Sequence, residues 1–369
     1  MPPVWDVNTD SMVFFSNGVK KTRMLDLTKY SFANAKVRAM LSELINADYF
    51  KRLVETQDLY ELFDFLKTTS YKDIVEKVSR EDADLERLEK ELILNDLHIY
   101  KKVYATLPTK TEKNFVAVMT QRFEIDELKT ALRIWHKKME VDLSDYVLGE
   151  KVAFDIDFKK IISCQSIEEI ILMLDETPYK LPLLKAKNKF KERNSIFYLE
   201  SAMDIDYYQR LLSSCEKFSS YDKKISRKIL GIEIDIENIN SLIRLRKYYS
   251  LSLAAMIDIV IPGGEKINKD SVRSFYTTDG LAKIVEGVAL GPYAKVKELA
   301  EANIYFIENF LYEILLREVR KILAGFPFTI GTIIGYLILK RRETRNLISL
   351  IYAKSLGEKS EDISHLIGI

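Results

Sequence analysis

The chain has 369 residues, 47% of them hydrophobic, enough to bury a large core and to form two or three domains. Fifty-six basic side chains face 55 acidic ones, a formal net charge of +1, which argues against a partner held through its phosphate backbone; no nucleic acid is expected. Two cysteines, Cys164 and Cys215, give no disulfide framework and point to a reducing compartment, and the start of the chain lacks the apolar core of a secretory signal.

In chain order, residues 1–45 precede any repeated pattern and are expected to form a helical arm. The stretch Asp48–Lys72, DYFKRLVETQDLYELFDFLKTTSYK, recurs as Ile156–Lys180, IDFKKIISCQSIEEIILMLDETPYK. Phe50/Phe158, Lys51/Lys159, Gln57/Gln165, Glu61/Glu169, Thr69/Thr177 and Tyr71/Tyr179 pair at one common offset. Pro108-Thr-Lys-Thr-Glu then breaks the chain ahead of a helical stripe of Ile125, Leu128, Leu132 and Trp135. The stripe returns as Ile236, Ile239 and Ile243, and Pro262-Gly-Gly-Glu is the next clear punctuation. A fainter third copy runs from Asp270 to Ala294, with Pro292-Tyr293 matching Pro178-Tyr179. The spacing predicts an arm (1–45) and three modules, 46–145, 146–262 and 263–369. That period is too long for a common helical solenoid, whose units span about 20–50 residues.

A second motif keeps the same order. Glu237-Asn-Ile-Asn240 is matched to Glu343-Thr-Arg-Asn346, with Asp126…Lys129 as a degenerate first copy. Glu and Asn one helical turn apart can bond each other or a neighbouring helix, so the pair reads as a packing-register device that accompanies the shared tyrosines Tyr71, Tyr179 and Tyr293. Glycine (13) and proline (8) are scarce, and sustained alternation of apolar and polar residues is nearly absent; the fold class is all-α.

Ile322–Leu339 is an uncharged stretch long enough to reach the lower edge of a membrane span. Pro327, three glycines and cations at both ends favour a buried helix instead, with Pro327 in its first turn. Gly325-Phe-Pro-Phe-Thr-Ile-Gly331 lacks the Lys-Ser/Thr of a phosphate cradle. His98, His136 and His365 are scattered, and Cys164, beside Ile161 and Ile162, is expected to be a core thiol. Lys185–Arg193 is expected to be a solvated basic helix face. No cofactor, metal or catalytic residue is expected, and the chain does not read as an enzyme.

The last fifty residues carry a family likeness. Phe326-Pro-Phe-Thr-Ile-Gly331, Tyr336-Leu-Ile-Leu-Lys-Arg-Arg-Glu343-Thr-Arg-Asn346 and Ala353-Lys-Ser-Leu-Gly357, with Tyr30-Ser-Phe-Ala-Asn-Ala-Lys-Val-Arg38 near the start, resemble the C subunit of archaeal and bacterial rotary V/A-type ATPases, the homologue of the d subunit of the vacuolar proton pump. The resemblance implies three similar helical domains forming a pseudo-threefold funnel. It implies a non-catalytic rotor component of the central stalk, standing on the membrane proteolipid ring and receiving the central shaft, that couples ATP hydrolysis or synthesis to ion transport. It also implies one copy per complex, a monomer when isolated, and a peripheral position on the cytoplasmic face of a membrane. On that reading the apolar stretch packs inside the third domain, and Arg341, Arg342 and Arg345 are candidate interface cations. Residues 1–29 have no counterpart in the likeness, and Lys129 replaces the expected asparagine. Two other readings stand beside it: a helical scaffold for an unrelated protein partner, and a single-span membrane protein.

Overall fold

In a computed structural model, residues 17–78, 84–143, 146–249, 252–276, 280–302 and 304–368 are described. They form helices joined mostly by short connections, the longest running from residue 138 to 157, with no strand among the described residues. α1 (Asn17–Leu41) leads into α2 (Ala47–Glu55), α3 (Leu59–Leu66), α4 (Lys72–Val78), α5 (Leu85–Thr106) and α6 (Lys110–Lys137). Then follow α7 (Phe158–Ser163), α8 (Ile167–Met173), α9 (Lys180–Arg193), α10 (Phe197–Cys215), α11 (Ser220–Tyr249) and α12 (Leu253–Ile259). The last part holds α13 (Lys269–Phe275), α14 (Leu281–Val288), a 3-10 turn (Gly291–Tyr293), α15 (Val296–Ala302), α16 (Ile304–Ala324), α17 (Ile330–Ser355) and α18 (Ser360–Ile367). Of the expected N-terminal arm, residues 1–16 lie outside the described residues.

The sequence repeat has a local physical meaning. The Asp58 carboxylate caps α3 by accepting from the Glu61 N–H, and Ser166 caps α8 by accepting from the Glu169 N–H. The repeated glutamates reach back in turn: the Gln57 N–H donates to Glu61 Oε2 at 2.6 Å and the Gln165 N–H to Glu169 Oε2 at 2.8 Å. Further on, Thr69 and Thr177 each donate to a carbonyl three residues back and accept from the N–H of the repeated tyrosine, at 3.2 Å in both copies. The paired residues recur because each closes the same turn.

The three longest helices after α1 start alike. Thr109, Ser219 and Thr329 each place a hydroxyl to accept a backbone N–H of the first turn of α6, α11 or α17. These starts meet at α1. The Tyr30 hydroxyl lies 2.8 Å from Asp222 and 3.0 Å from Glu112, Lys29 pairs with Glu112 at 2.6 Å, and the Ile330 N–H donates to Asp222 at 3.0 Å. One phenolic proton shared between two buried carboxylates holds the Tyr30 pKa far above the usual phenol range; desolvation is the main cause.

Two large apolar cores follow from the helix stripes, beside a small cluster of Leu94, Leu97 and Leu148. The larger runs through α5, α6, α10, α11 and α16, where Ile125, Leu128, Leu132, Ile236, Ile239 and Ile243 are all buried. The smaller joins opposite ends of the chain: Phe50, Leu62, Leu66 and Tyr71 pack with Leu347, Leu350 and Ile351 of α17 and Ile363 of α18. At about 1.5–3 kcal/mol per fully buried aliphatic or aromatic side chain, that second core binds the first short helices to the last two.

Two expectations change and one holds. Ile322–Leu339 is not one helix: α16 ends at Ala324, and α17 starts at Ile330 after its Thr329 cap. Pro327 therefore precedes the helix, and its carbonyl accepts from the Thr332 hydroxyl at 2.7 Å. No helix among the described residues is long and apolar enough to cross a membrane. Cys164, at the C-terminus of α7, is only partly buried against the edge of the larger core, its thiol donating to the Lys160 carbonyl; Cys215 is the fully buried thiol. The basic run on α9 is solvated as expected, with Lys185, Lys189, Lys191 and Arg193 exposed, and it makes surface ion pairs: Lys187 and Lys191 with Glu168, and Lys189 with Asp258.

Candidate functional site

The repeated tyrosines share one geometry. Each is buried and donates its phenolic proton to a carboxylate on a long helix: Tyr71 to Glu343 at 2.6 Å, Tyr179 to Glu124 at 2.7 Å and Tyr293 to Asp235 at 2.9 Å. The other carboxylate oxygen, or the same group, accepts backbone N–H donors from the connection ahead of the short helices. These come from Ile45 for Glu343, Ala153 and Phe154 for Glu124, and Lys266 and Ile267 for Asp235. Gly264 lets the chain approach so closely, since a Cβ there would meet Asp235 Oδ1 at 2.3 Å; its neighbour Gly263 takes φ +100. Tyrosine and carboxylate thus fasten each set of short helices to the preceding long helix, and Tyr71 with Glu343 fastens the first set to the last long helix.

This geometry corrects the register of the second motif. Glu343 stands with Asp235 and Glu124, and Asn346 with Asn238 and Glu127, so the match to Glu237 and Asn240 is two residues out. Asn238 exchanges hydrogen bonds with the Ile261 backbone, and Glu127 accepts from the Leu148 N–H. Glu237-x-x-Asn240 imitates the spacing of Asp235-x-x-Asn238, and sequence comparison alone could not tell the two apart.

In the corrected register the positions two before and two after each carboxylate lie one turn apart on one helix face. They are Arg122 and Asp126 on α6, Glu233 and Glu237 on α11, and Arg341 and Arg345 on α17. All six line a single cavity of about 680 Å³. Tyr100, Tyr208 and Tyr312, from α5, α10 and α16, line the same space. Arg341 pairs with Glu233, joining α17 to α11, while Arg122 bonds Asp126 at 3.1 Å and Asp204 at 2.9 Å. Arg345 donates to the Tyr312 hydroxyl. Glu237 has no hydrogen-bond or ion-pair partner among the described residues, and burial raises its pKa against the pull of Arg122.

Of the anticipated interface cations, Arg341 and Arg345 therefore face the cavity. Arg342 turns away, donating to Asn309 Oδ1 at 2.8 Å and to the Ile367 carbonyl at 3.0 Å, with its guanidinium 5.0 Å from the Tyr312 ring centroid. Asp96 and Glu127 also line the cavity, and burial pushes both up to about 7; Asp235, behind the wall, is raised to about 6 for the same reason. The histidines are apart: His98 meets Glu150 at 2.9 Å, and His136 packs on Phe190. No group of His, Cys, Asp and Glu suited to a metal occurs among the described residues. The cavity offers a collar of paired charges and phenols, a surface for recognition.

Comparison with known proteins gives a consistent picture. The family described as ATP synthase (C/AC39) subunit matches residues 33–366. The chain is similar to the C subunit of the A-type ATP synthase of Methanocaldococcus jannaschii, 26% identical over 353 residues that span 93% of this chain and 87% of the relative. The protein of the same name from Thermococcus kodakarensis is 25% identical over 98% of this chain and 96% of its own length. That of Methanobrevibacter smithii is 25% identical over 90% and 85%.

Proposed function

The chain belongs to the ATP synthase (C/AC39) subunit family, and from that premise we propose that it is the rotor adaptor between the central shaft and the membrane proteolipid ring. It is a non-catalytic subunit of a rotary ATPase. The cavity carries the finer reading: its collar is built from equivalent positions on three long helices, as a socket for an axial element would be. The proposed arrangement is three similar helical domains around a pseudo-threefold axis, each a long helix pair with the short helices fastened to it. The shaft tip enters the cavity. The opposite end, where Tyr30, Glu112, Asp222 and the start of α17 are bonded together, stands on the ring.

Torque transfer needs stiffness more than reactivity. The three tyrosine–carboxylate fastenings and the core shared by α2–α4 with α17 and α18 supply it, because they leave no free end to the set. On this reading the protein sits peripherally on the cytoplasmic face of the membrane, one copy per complex, and its membrane contact runs through the ring. Affinity purification of the tagged chain from gently solubilised membranes tests the proposal. Shaft and proteolipid subunits should be recovered together with the catalytic head; a chain recovered without them would rule the adaptor role out.

A further inference from the structure

The fold repeats three times, but the charges in the socket do not. At the equivalent positions α6 presents one cation and one anion (Arg122, Asp126), α11 two anions (Glu233, Glu237) and α17 two cations (Arg341, Arg345). A neutral or symmetric collar would accept a threefold-like occupant in three orientations of similar energy. Here a turn from one wall to the next reverses the charge at one or both positions. The outer turn is the less committed part of this pattern: Asp126, bonded to Arg122, and Arg345, bonded to the Tyr312 hydroxyl, are still exposed to the cavity, and Glu237, half-buried, has no hydrogen-bond or ion-pair partner among the described residues. The inner turn is partly committed, with Arg341 bonded to Glu233 across the two oppositely charged walls.

We infer that this broken charge symmetry keys the socket, so that the shaft tip seats in one azimuth only, its basic side against α11 and its acidic side against α17. The inference rests on the shaft-docking reading above and adds the orientation and the polarity of the partner. Charge placed in a cleft with low-dielectric walls acts mainly on register and partner selection, and like-charge juxtaposition penalises the wrong orientations. A cavity of about 680 Å³ holds the end of an inserted element rather than a whole shaft, so few contacts are available and each charge weighs heavily.

The test uses the full-length chain with Cys164→Ser, leaving buried Cys215 as the remaining native thiol. Asp126→Cys, Glu237→Cys or Arg345→Cys then puts one thiol on each wall at the same height. Each variant is bound to a purified catalytic head with its shaft, the shaft carrying a single cysteine at its tip, and treated with a short bis-maleimide. Keyed seating gives a cross-link to one wall at least tenfold above the other two. Comparable yields from all three walls would overturn the inference while leaving shaft docking intact. Failure of the Cys164→Ser parent to bind the head and shaft would remove the docking reading and the inference with it. A second variant, Glu237→Arg with Arg345→Glu, exchanges the polarity of the two walls. It should weaken binding at least tenfold at low ionic strength, with the difference shrinking as salt is added, and unchanged binding would contradict the inference.

Discussion

At the scale of single residues, the buried phenol–carboxylate pairs decide most. Removing the phenolic oxygen of Tyr179 leaves Glu124 with two backbone donors and one unmet acceptor site. Tyr179→Phe should cost about 1–3 kcal/mol in chemical denaturation. Tyr71→Phe should cost more, because the buried ammonium of Lys340 also donates to the Tyr71 oxygen. An equal cost at the two positions would mean that Lys340 adds nothing. Asp96 provides a separate test. It accepts from the Thr344 hydroxyl at 2.8 Å, yet burial lifts its pKa to about 7, against about 3.9 in an unfolded chain. The folded protein then holds the proton more tightly than the unfolded chain. The stability this contributes is complete at the acid end of that range and lost as pH rises through about 7. Asp96→Asn should flatten the fall of melting temperature between pH 4 and 7, and Glu127 and Asp235, raised in the same sense, should leave part of that fall in place. A variant with the wild-type slope would show that Asp96 does not ionise in that window.

At the scale of elements, the joint between the two ends of the chain is the point of failure. Ile363 of α18 is 1% exposed and belongs to the core of α2–α4, and the Ser360 hydroxyl donates to the Val54 carbonyl at 2.9 Å. Ile363→Ala should cost about 2–5 kcal/mol, as large-to-small changes in tight cores do. Hydrogen exchange should report the loss in residues 47–66 as well as in α18. Protection lost only in α18 would mean that the two ends fold independently. Much of this scale was legible in the sequence. The pairs Gln57/Gln165, Glu61/Glu169 and Thr69/Thr177 marked turns that the structure closes with the same hydrogen bonds, and the stripes on α6 and α11 are core. Two things stayed hidden for physical reasons. Two overlapping acid-x-x-Asn spacings in α11 differ only in which face they occupy, so burial was needed to choose Asp235 over Glu237. Ile322–Leu339 is apolar throughout, and hydropathy does not register the turn at residues 325–329 that divides it.

At the scale of the whole molecule, the repeat announced three modules, whereas the hydrogen bonds run across their boundaries. Each tyrosine belongs to one copy in sequence and binds the long helix of the copy before it, and the first copy closes on the last. Cutting the chain at a module boundary therefore severs a fastening rather than freeing a domain. The socket could not be read from sequence, because its collar consists of unlike residues, Arg122, Glu233 and Arg341 or Asp126, Glu237 and Arg345, whose equivalence appears only once the carboxylates fix the register. On the proposed adaptor reading, that dissimilarity is what would hold a shaft in a single working orientation, since a threefold fold with threefold charges would let it slip by a third of a turn.

The most direct test of the adaptor role is electron cryo-microscopy of the rotary complex isolated through a tag on this chain. The account predicts one copy on the rotor axis, with the shaft tip inside the cavity against Asp126, Glu237 and Arg345 and the Tyr30 end on the proteolipid ring. Density for the chain at the periphery of the complex, or a shaft that meets the ring with the cavity empty, would contradict it.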